Sequence, residues 1–308
     1  MMKNKKKKRS FKFASIIFIF IFFVFISISY AQPVILSDVP DYKWWYGCSP
    51  TAAGMLIGYY DIHGYQGLRY DNLVPGEAEL STFPSTEGEW EYNAQYAIAS
   101  PEHVNDFYRG GYGAEGDDAP PPYHEFNCLA DFMGTSQDSA GNPNGATTFY
   151  FNIYGFPLYV ADIYGTEYQD KSGLYGIWEY IEYRGYGTHD PANDYTMFNQ
   201  LVDTYVKIPW AFSFLDFMEE INSGRPVIIH LEGHSMLGYG YDPDGFIIYV
   251  HDTWSPGPHT MRWGGTYGGM KLMGVTCVHI TGGSPVPIPH SIILLGSGIL
   301  LIFVRRKT

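Results

Sequence analysis

Trp44-Trp45-Tyr46-Gly47-Cys48-Ser49-Pro50, continuing as Thr51-Ala52-Ala53-Gly54-Met55-Leu56-Ile57-Gly58-Tyr59-Tyr60, is the stretch whose reading decides the fold. From Pro50 to Tyr60 it reads as a helix, with Ala52, Ala53, Leu56 and Ile57 placed for one packed face. Proline suits a first helical turn, where no intrahelical N–H is lost. Gly54 and Gly58 would let a neighbour approach closely. Cys48 stands immediately before this helix, where the positive end of the helix dipole favours a thiolate. Trp44 and Trp45 before it would make an aromatic wall for a substrate cleft.

A second stretch, Gly224–Trp254, supplies the partners that a thiol nucleophile needs. Arg225-Pro226 leads into the apolar run Val227–Leu231, and the spacing predicts strands at His234–Tyr241 and Phe246–His251. Asp242-Pro243-Asp244-Gly245 is a strong turn signal between them. A simple hairpin there brings His234, at the start of one strand, to the same sheet edge as Asp252, just past the end of the next. The result is a nucleophile at a helix start, an imidazole base and a carboxylate orienter, the order of roles in a thiol hydrolase.

These two stretches resemble papain-like cysteine peptidases, in particular the branch of bacteriocin-leader (double-glycine) peptidases and their exported relatives. The resemblance rests on Gly47-Cys48-Ser49-Pro50 opening the helix, on His234 starting a strand that ends in Gly240-Tyr241-Asp242, and on Asp252 after the following strand. It implies an α+β fold, with the nucleophile helix packed on a C-terminal antiparallel sheet. It also implies Cys48 as nucleophile, His234 as base, Asp252 as orienter, a peptide or protein substrate, and no cofactor or metal. The family places a Gln some six residues before the Cys for the oxyanion hole. Here Tyr42 holds that place, followed by Lys43, so the resemblance leaves the Cys48 N–H as donor, aided by the Tyr42 hydroxyl or the Lys43 ammonium. The matching segments lie at the two ends of the central region, so the sequence between, about 64–205, reads as a large loop-rich insertion.

The ends of the chain read as addresses. A basic segment from Lys3 to Lys12, an apolar run Ala14–Ile28 and small residues up to Ala31 predict a signal peptide over 1–31. At the other end stand Pro285-Val286-Pro287-Ile288-Pro289, an apolar run Ile292–Val304 and Arg305-Arg306-Lys307. That order resembles the PEP-CTERM type of exosortase sorting signal, which implies a short transmembrane helix within 283–308 and transient membrane association. Residues 32–282 are then the exported domain, handled by signal peptidase and an exosortase-type enzyme and bound for the surface of a Gram-negative-type envelope. Of the 19 Lys and Arg, seven fall in residues 1–31 and three at 305–307, leaving nine against all 32 acidic residues. So acidic a domain repels phosphate backbones and excludes nucleic-acid binding.

Three alternatives compete. The cysteines Cys48, Cys128 and Cys277 offer disulfides in an exported chain, and a Cys128–Cys277 bridge would leave Cys48 reactive. His230-x-Glu232-x-His234 at period two would align metal ligands on one strand face. Acidic segments such as Glu115–Asp118 and Asp190–Asp194 hold oxygen ligands suited to Ca²⁺, without EF-hand spacing. From a different class, the same fold without activity would be a surface module that holds glycan or matrix polymer through the Tyr- and Trp-rich insertion.

Overall fold

Five consecutive residues, Val227–Leu231, four of them apolar, are buried on both faces, and the architecture follows from covering them. The computed structural model describes residues 32–86, 88–108, 121, 124–282 and 284–285. The expected signal peptide, the C-terminal sorting signal and the acidic Glu115–Asp118 lie outside the described residues. No helix among those described is long and apolar enough to cross a membrane.

The sheet comprises β1 (Leu158–Tyr159), β2 (Met197–Leu201), β3 (Val227–Leu231), β4 (His234–Asp242), β5 (Ile247–His251), β6 (His259–Arg262) and β7 (Met270–Val278). Their order is β6-β5-β4-β3-β7-β2-β1, antiparallel throughout, with Val34–Ile35 added beside β4. Alternating side chains divide between two cores. Ile228, Leu237 and Val278 face one core, whereas Val227, Ile229, Met236, Val275 and Cys277 face the other.

The first core is built around α1 (Cys48–His63), joined by α2 (Asn93–Ile98), α3 (Pro101–Phe107), α4 (Leu129–Phe132) and α5 (Gly173–Tyr183). Residues Ser49 to Tyr60 of α1 are all buried, as expected of a helix apolar all round and covered on every side. Its two inner glycines are where neighbours press in. A Cβ at Gly54 would meet Ile98 at 2.4 Å, and one at Gly58 would meet the Tyr42 hydroxyl at 2.7 Å. On the other face, α6 (Phe214–Asn222) places Phe214, Phe217 and Ile221 on the sheet. Its Ser213 and Asp216 close a reciprocal capping box.

The molecule is therefore a mixed arrangement of helices on an antiparallel sheet, consistent with the expected α+β class. The stretch 64–205 is less separate than expected. Its Met197–Leu201 is an inner strand between β7 and β1, and α5 contributes Leu174, Ile177 and Ile181 to the first core. Of the largely apolar run Phe149–Tyr159, only Leu158–Tyr159 forms a strand. All three cysteines are free. Cys128 lies in the first core and Cys277 in the second, with the sheet between them, so the two cannot pair.

Candidate active site

Gly47 caps α1 with φ 149°, and a Cβ there would press on Pro50 at 2.8 Å and on the Gly145 carbonyl at 3.0 Å. Only glycine fits this approach. The Thr51 hydroxyl donates to the Gly47 carbonyl at 2.6 Å and accepts from the Trp45 N–H at 2.9 Å. These bonds tie the entry loop to the first turn of α1. Cys48 is thereby held at the first turn, half-buried in a cleft of about 210 Å³.

His234 lines the same cleft from the start of β4. Strands β3 and β4 meet at a two-residue turn, Glu232-Gly233, with Leu231 opposite His234. His230 and His234 thus sit on different strands, and exposed Glu232 accepts from the Tyr205 hydroxyl, so the period-two metal alignment does not form. His234 Nε2 lies 2.8 Å from the Asp252 carbonyl oxygen. A carbonyl only accepts, so Nε2 carries the proton and Nδ1 keeps its lone pair as the basic nitrogen. Trp254 stacks on the imidazole at 3.9 Å between centroids.

Asp252 therefore holds the imidazole with its backbone, not with the carboxylate expected for that role. The carboxylate accepts from the N–H groups of Trp254 (2.9 Å) and Ser255 (3.0 Å) and from the Tyr267 hydroxyl (2.7 Å). Burial pushes the Asp252 carboxyl up, but those donors outweigh it and the net shift is downward. The turn it organises includes Thr253, a β-branched residue at φ 64°, whose carbonyl accepts from the Trp44 N–H. One turn thus links the segment before Cys48 to His234.

The resting protonation states follow from burial. Burial pushes the Cys48 thiol up, partly offset by the Ser235 N–H and by Ser49. Burial also pushes His234 down, partly offset by the Asp252 carbonyl. Both shifts favour a neutral thiol and a neutral imidazole, against the thiolate that the helix-start position favours.

Behind the cleft runs a buried polar chain that the sequence reading missed. Thr276 Oγ1 donates to Asn199 Oδ1 at 2.6 Å, so it accepts from His230 Nε2 at 2.7 Å. His230 Nδ1 then accepts from the Ser235 hydroxyl at 3.1 Å, and Ser235 lies 2.9 Å from the Ser49 hydroxyl. Burial pushes His230 down to about 3, in keeping with a neutral ring in this chain. The Ser beside Cys48 and the Ser beside His234 were its sequence signals. The facing wall, Gly145, Ala146, Thr147 and Phe149, comes from the stretch read as insertion, where nothing in the residue types marks it.

The residues expected to aid the oxyanion lie elsewhere. Tyr42 is fully buried and its hydroxyl donates to the Glu79 carbonyl at 2.6 Å. It rests against Gly58, ten residues and about 15 Å along α1 from Cys48. The cause is local: Asp41–Tyr42 pair in parallel with Ser81–Thr82, which turns the ring under the helix. Lys43 is exposed and lines a separate pocket with Pro84 and Ser85. Trp45 packs into the core, edge-on to Trp90, with Nε1 donating to the Ala99 carbonyl. Trp44 abuts Gly145, whose Cβ would stand 3.5 Å from its ring, and so backs the cleft wall. The Cys48 N–H, in the first turn of α1, has no intrahelical acceptor.

A thiol and a tautomerically fixed imidazole share one cleft. The model of the Peptidase_C39 like family matches residues 146–266, a span that includes Ala146, Thr147 and Phe149 of the cleft wall, His234 and Asp252 but not Cys48. This supports a relationship to papain-like cysteine peptidases. No curated protein and no solved structure matches the chain.

Proposed function

We propose that this protein is an exported, cell-surface-directed thiol hydrolase that cleaves peptide bonds with Cys48 as nucleophile and His234 as base. The observation that carries the reading is the cleft that Cys48 and His234 share, with His234 Nε2 held on the Asp252 carbonyl. From neutral partners, His234 Nδ1 takes the thiol proton as sulfur attacks the amide carbonyl. The Cys48 N–H holds the oxyanion. The imidazolium then protonates the leaving amine, and water, deprotonated by the same nitrogen, releases the acyl group from sulfur. Asp252 is a positioning residue, acting through its carbonyl. Export and surface processing by signal peptidase and an exosortase-type enzyme, with transient membrane association, rest on the residue order of the two ends.

A different role, holding glycan or matrix polymer on the same fold, draws support from one feature. Exposed Phe156 and Trp210 stack at 6.0 Å between centroids, next to exposed Tyr154. Such a platform suits the apolar face of a sugar.

The deciding experiment incubates the purified protein, and its Cys48→Ala and His234→Ala variants, with a diverse peptide library read by mass spectrometry. New amino termini that vanish in both variants support the hydrolase. Cleavage that survives Cys48→Ala, or no cleavage alongside polysaccharide binding lost in Trp210→Ala, overturns it.

A further inference from the structure

The sheet face that packs on α1 carries one unbroken line of polar side chains. Asn199 on β2, Thr276 on β7, His230 on β3 and Ser235 on β4 come from four neighbouring strands, and Ser49 of α1 completes the line. Register sets Thr276 opposite Asn199 and Ser235 opposite His230, while His230 stands opposite Gly274 and meets Thr276 as its diagonal neighbour. All five side chains are buried, on a face otherwise lined by Ile228, Leu237 and Val278. Polar groups in such a face cost stability unless each is hydrogen-bonded.

The direction of every hydrogen bond in the line follows from one end. The Tyr150 carbonyl can only accept, so it fixes the Asn199 amide with Nδ2 donating to it at 3.0 Å and Oδ1 turned to Thr276. Thr276 gives its single proton to Oδ1 and so accepts from His230 Nε2. Burial keeps that ring neutral, pushing it down to about 3, which leaves Nδ1 a lone pair that takes the Ser235 proton. Ser235 then has no proton left to give, so in its 2.9 Å contact with Ser49 it is Ser49 that donates. Ser49 also stands where its hydroxyl can offset the burial of the Cys48 sulfur, but its one proton is committed to Ser235.

We propose that Ser49, Ser235 and His230 are positioning residues for the catalytic pair: they register α1 against β4, hence Cys48 against His234, and they withhold a hydroxyl proton from the sulfur so that it rests as a thiol. The positioning part rests on the thiol-hydrolase reading; the protonation part does not. Ser49 follows Cys48 in sequence and Ser235 follows His234, so their hydrogen bond joins the neighbours of both groups. Misplacement by about 1 Å between reacting groups is worth about 10²-fold in rate. The far end of the line reaches Tyr150, next in sequence to Phe149 of the cleft wall, and Phe149 lies on the His230 ring at 4.2 Å between centroids. One polar line thus runs from the wall, beneath the cleft, to the nucleophile helix.

The test compares the whole protein with its Ser49→Ala, Ser235→Ala and doubly substituted forms. Iodoacetamide labelling of Cys48 against pH, read on its own peptide by mass spectrometry, needs no substrate. Ser49→Ala should keep the wild-type midpoint, because no hydroxyl bond to sulfur is lost. Ser235→Ala frees the Ser49 proton for the sulfur and should move the midpoint down by about 0.5–1 pH unit, the size of one such bond, and the double substitution should restore it. A midpoint that rises in Ser49→Ala, or stays in place in folded Ser235→Ala, overturns the proposal. Should Ser235→Ala fail to fold, nitrogen-15 histidine spectra of the wild type decide: His230 must carry its proton on Nε2, and a proton on Nδ1 overturns the order of the line. On a cleaved peptide, Ser49→Ala should lower kcat about 10–10²-fold with KM little changed, and an unchanged kcat overturns the positioning role. No cleavage by the wild type overturns the hydrolase reading and the positioning role with it, while the labelling still decides where the Ser49 proton lies.

Discussion

Asparagine at position 252 separates two accounts of how the base is held. If the imidazole is oriented by the Asp252 carbonyl, as its 2.8 Å contact indicates, the side chain matters only through the turn it organises. Asparagine is nearly isosteric: its Oδ1 still accepts from the N–H groups of Trp254 and Ser255, and its amide still meets Tyr267, whose oxygen can accept. Asp252→Asn should then lose less than about tenfold in kcat, about 1.4 kcal/mol of barrier. Asp252→Ala leaves both N–H groups and the Tyr267 hydroxyl without their acceptor. At about 1.5–3 kcal/mol per charge-assisted bond, less what water restores at this partly open turn, the fold should lose about 2–4 kcal/mol. The carbonyl would drift with the turn, and activity should fall far more than in Asp252→Asn. A carboxylate that fixed the tautomer directly would give another pattern, with asparagine alone costing about 10⁴ in kcat. The assay is kcat on a cleaved peptide beside a thermal melt for each variant. A loss of 10³–10⁴ in Asp252→Asn with an unchanged melting temperature would refute the reasoning.

Alkylation of Cys48 by iodoacetamide should be slower at pH 7 than that of a free thiol of pKa about 8.5, and should rise about tenfold per pH unit through neutrality. A rate that is flat down to pH 5 would mean a standing thiolate–imidazolium pair. Gly47→Ala places a Cβ 2.8 Å from Pro50 and 3.0 Å from the Gly145 carbonyl at φ 149°; it should cost about 1–3 kcal/mol in a denaturant melt and most of the activity. Glu179, pushed up to about 7 by burial and by Asp170, makes the fold lose stability as pH rises from about 4.5 through 7, because its raised pKa favours the protonated form. Glu179→Gln should remove that slope, on the order of 1–3 kcal/mol by pH 8, with wild type and variant melting alike under equal pH correction below about 4; a slope kept in the variant would place the effect elsewhere.

What the sequence carried, and what it did not, divides by range. The Cys48 helix start, the His234 strand and the 242–245 turn are local signals, each a short run whose residue types restrict the backbone, and the observed helix and strands lie close to where those signals place them. Pairing of β4 with β5 then followed from the turn, and with it the nearness of His234 to residue 252. Sequence spacing reaches no further than that. Whether Asp252 serves by carboxylate or carbonyl depends on where Tyr267 and the following N–H groups lie, and these are fixed by the packing of the turn. Tyr42 shows the same limit. Six residues before the Cys matches the spacing of an oxyanion donor, but pairing with Ser81–Thr82 turned the ring under Gly58.

Electrostatics gave the largest reversal. Position at a helix start argued for a low thiol pKa, worth a fraction of a kcal/mol to about 2 kcal/mol where partly buried. Desolvation in a half-closed cleft acts the other way on both partners, and its size depends on the wall supplied by Gly145–Phe149, which no local motif announces. The same wall explains why an enzyme here would rest neutral: a substrate that fills the cleft changes the dielectric around sulfur and imidazole together. Proton transfer from Cys48 to His234 then belongs to the attack itself, where the oxyanion and the Cys48 N–H offset the charge as it forms. A pH–rate profile of kcat/KM would therefore follow His234 in its unprotonated form, rising through a pKa below the usual histidine value, with no separate limb for a standing thiolate.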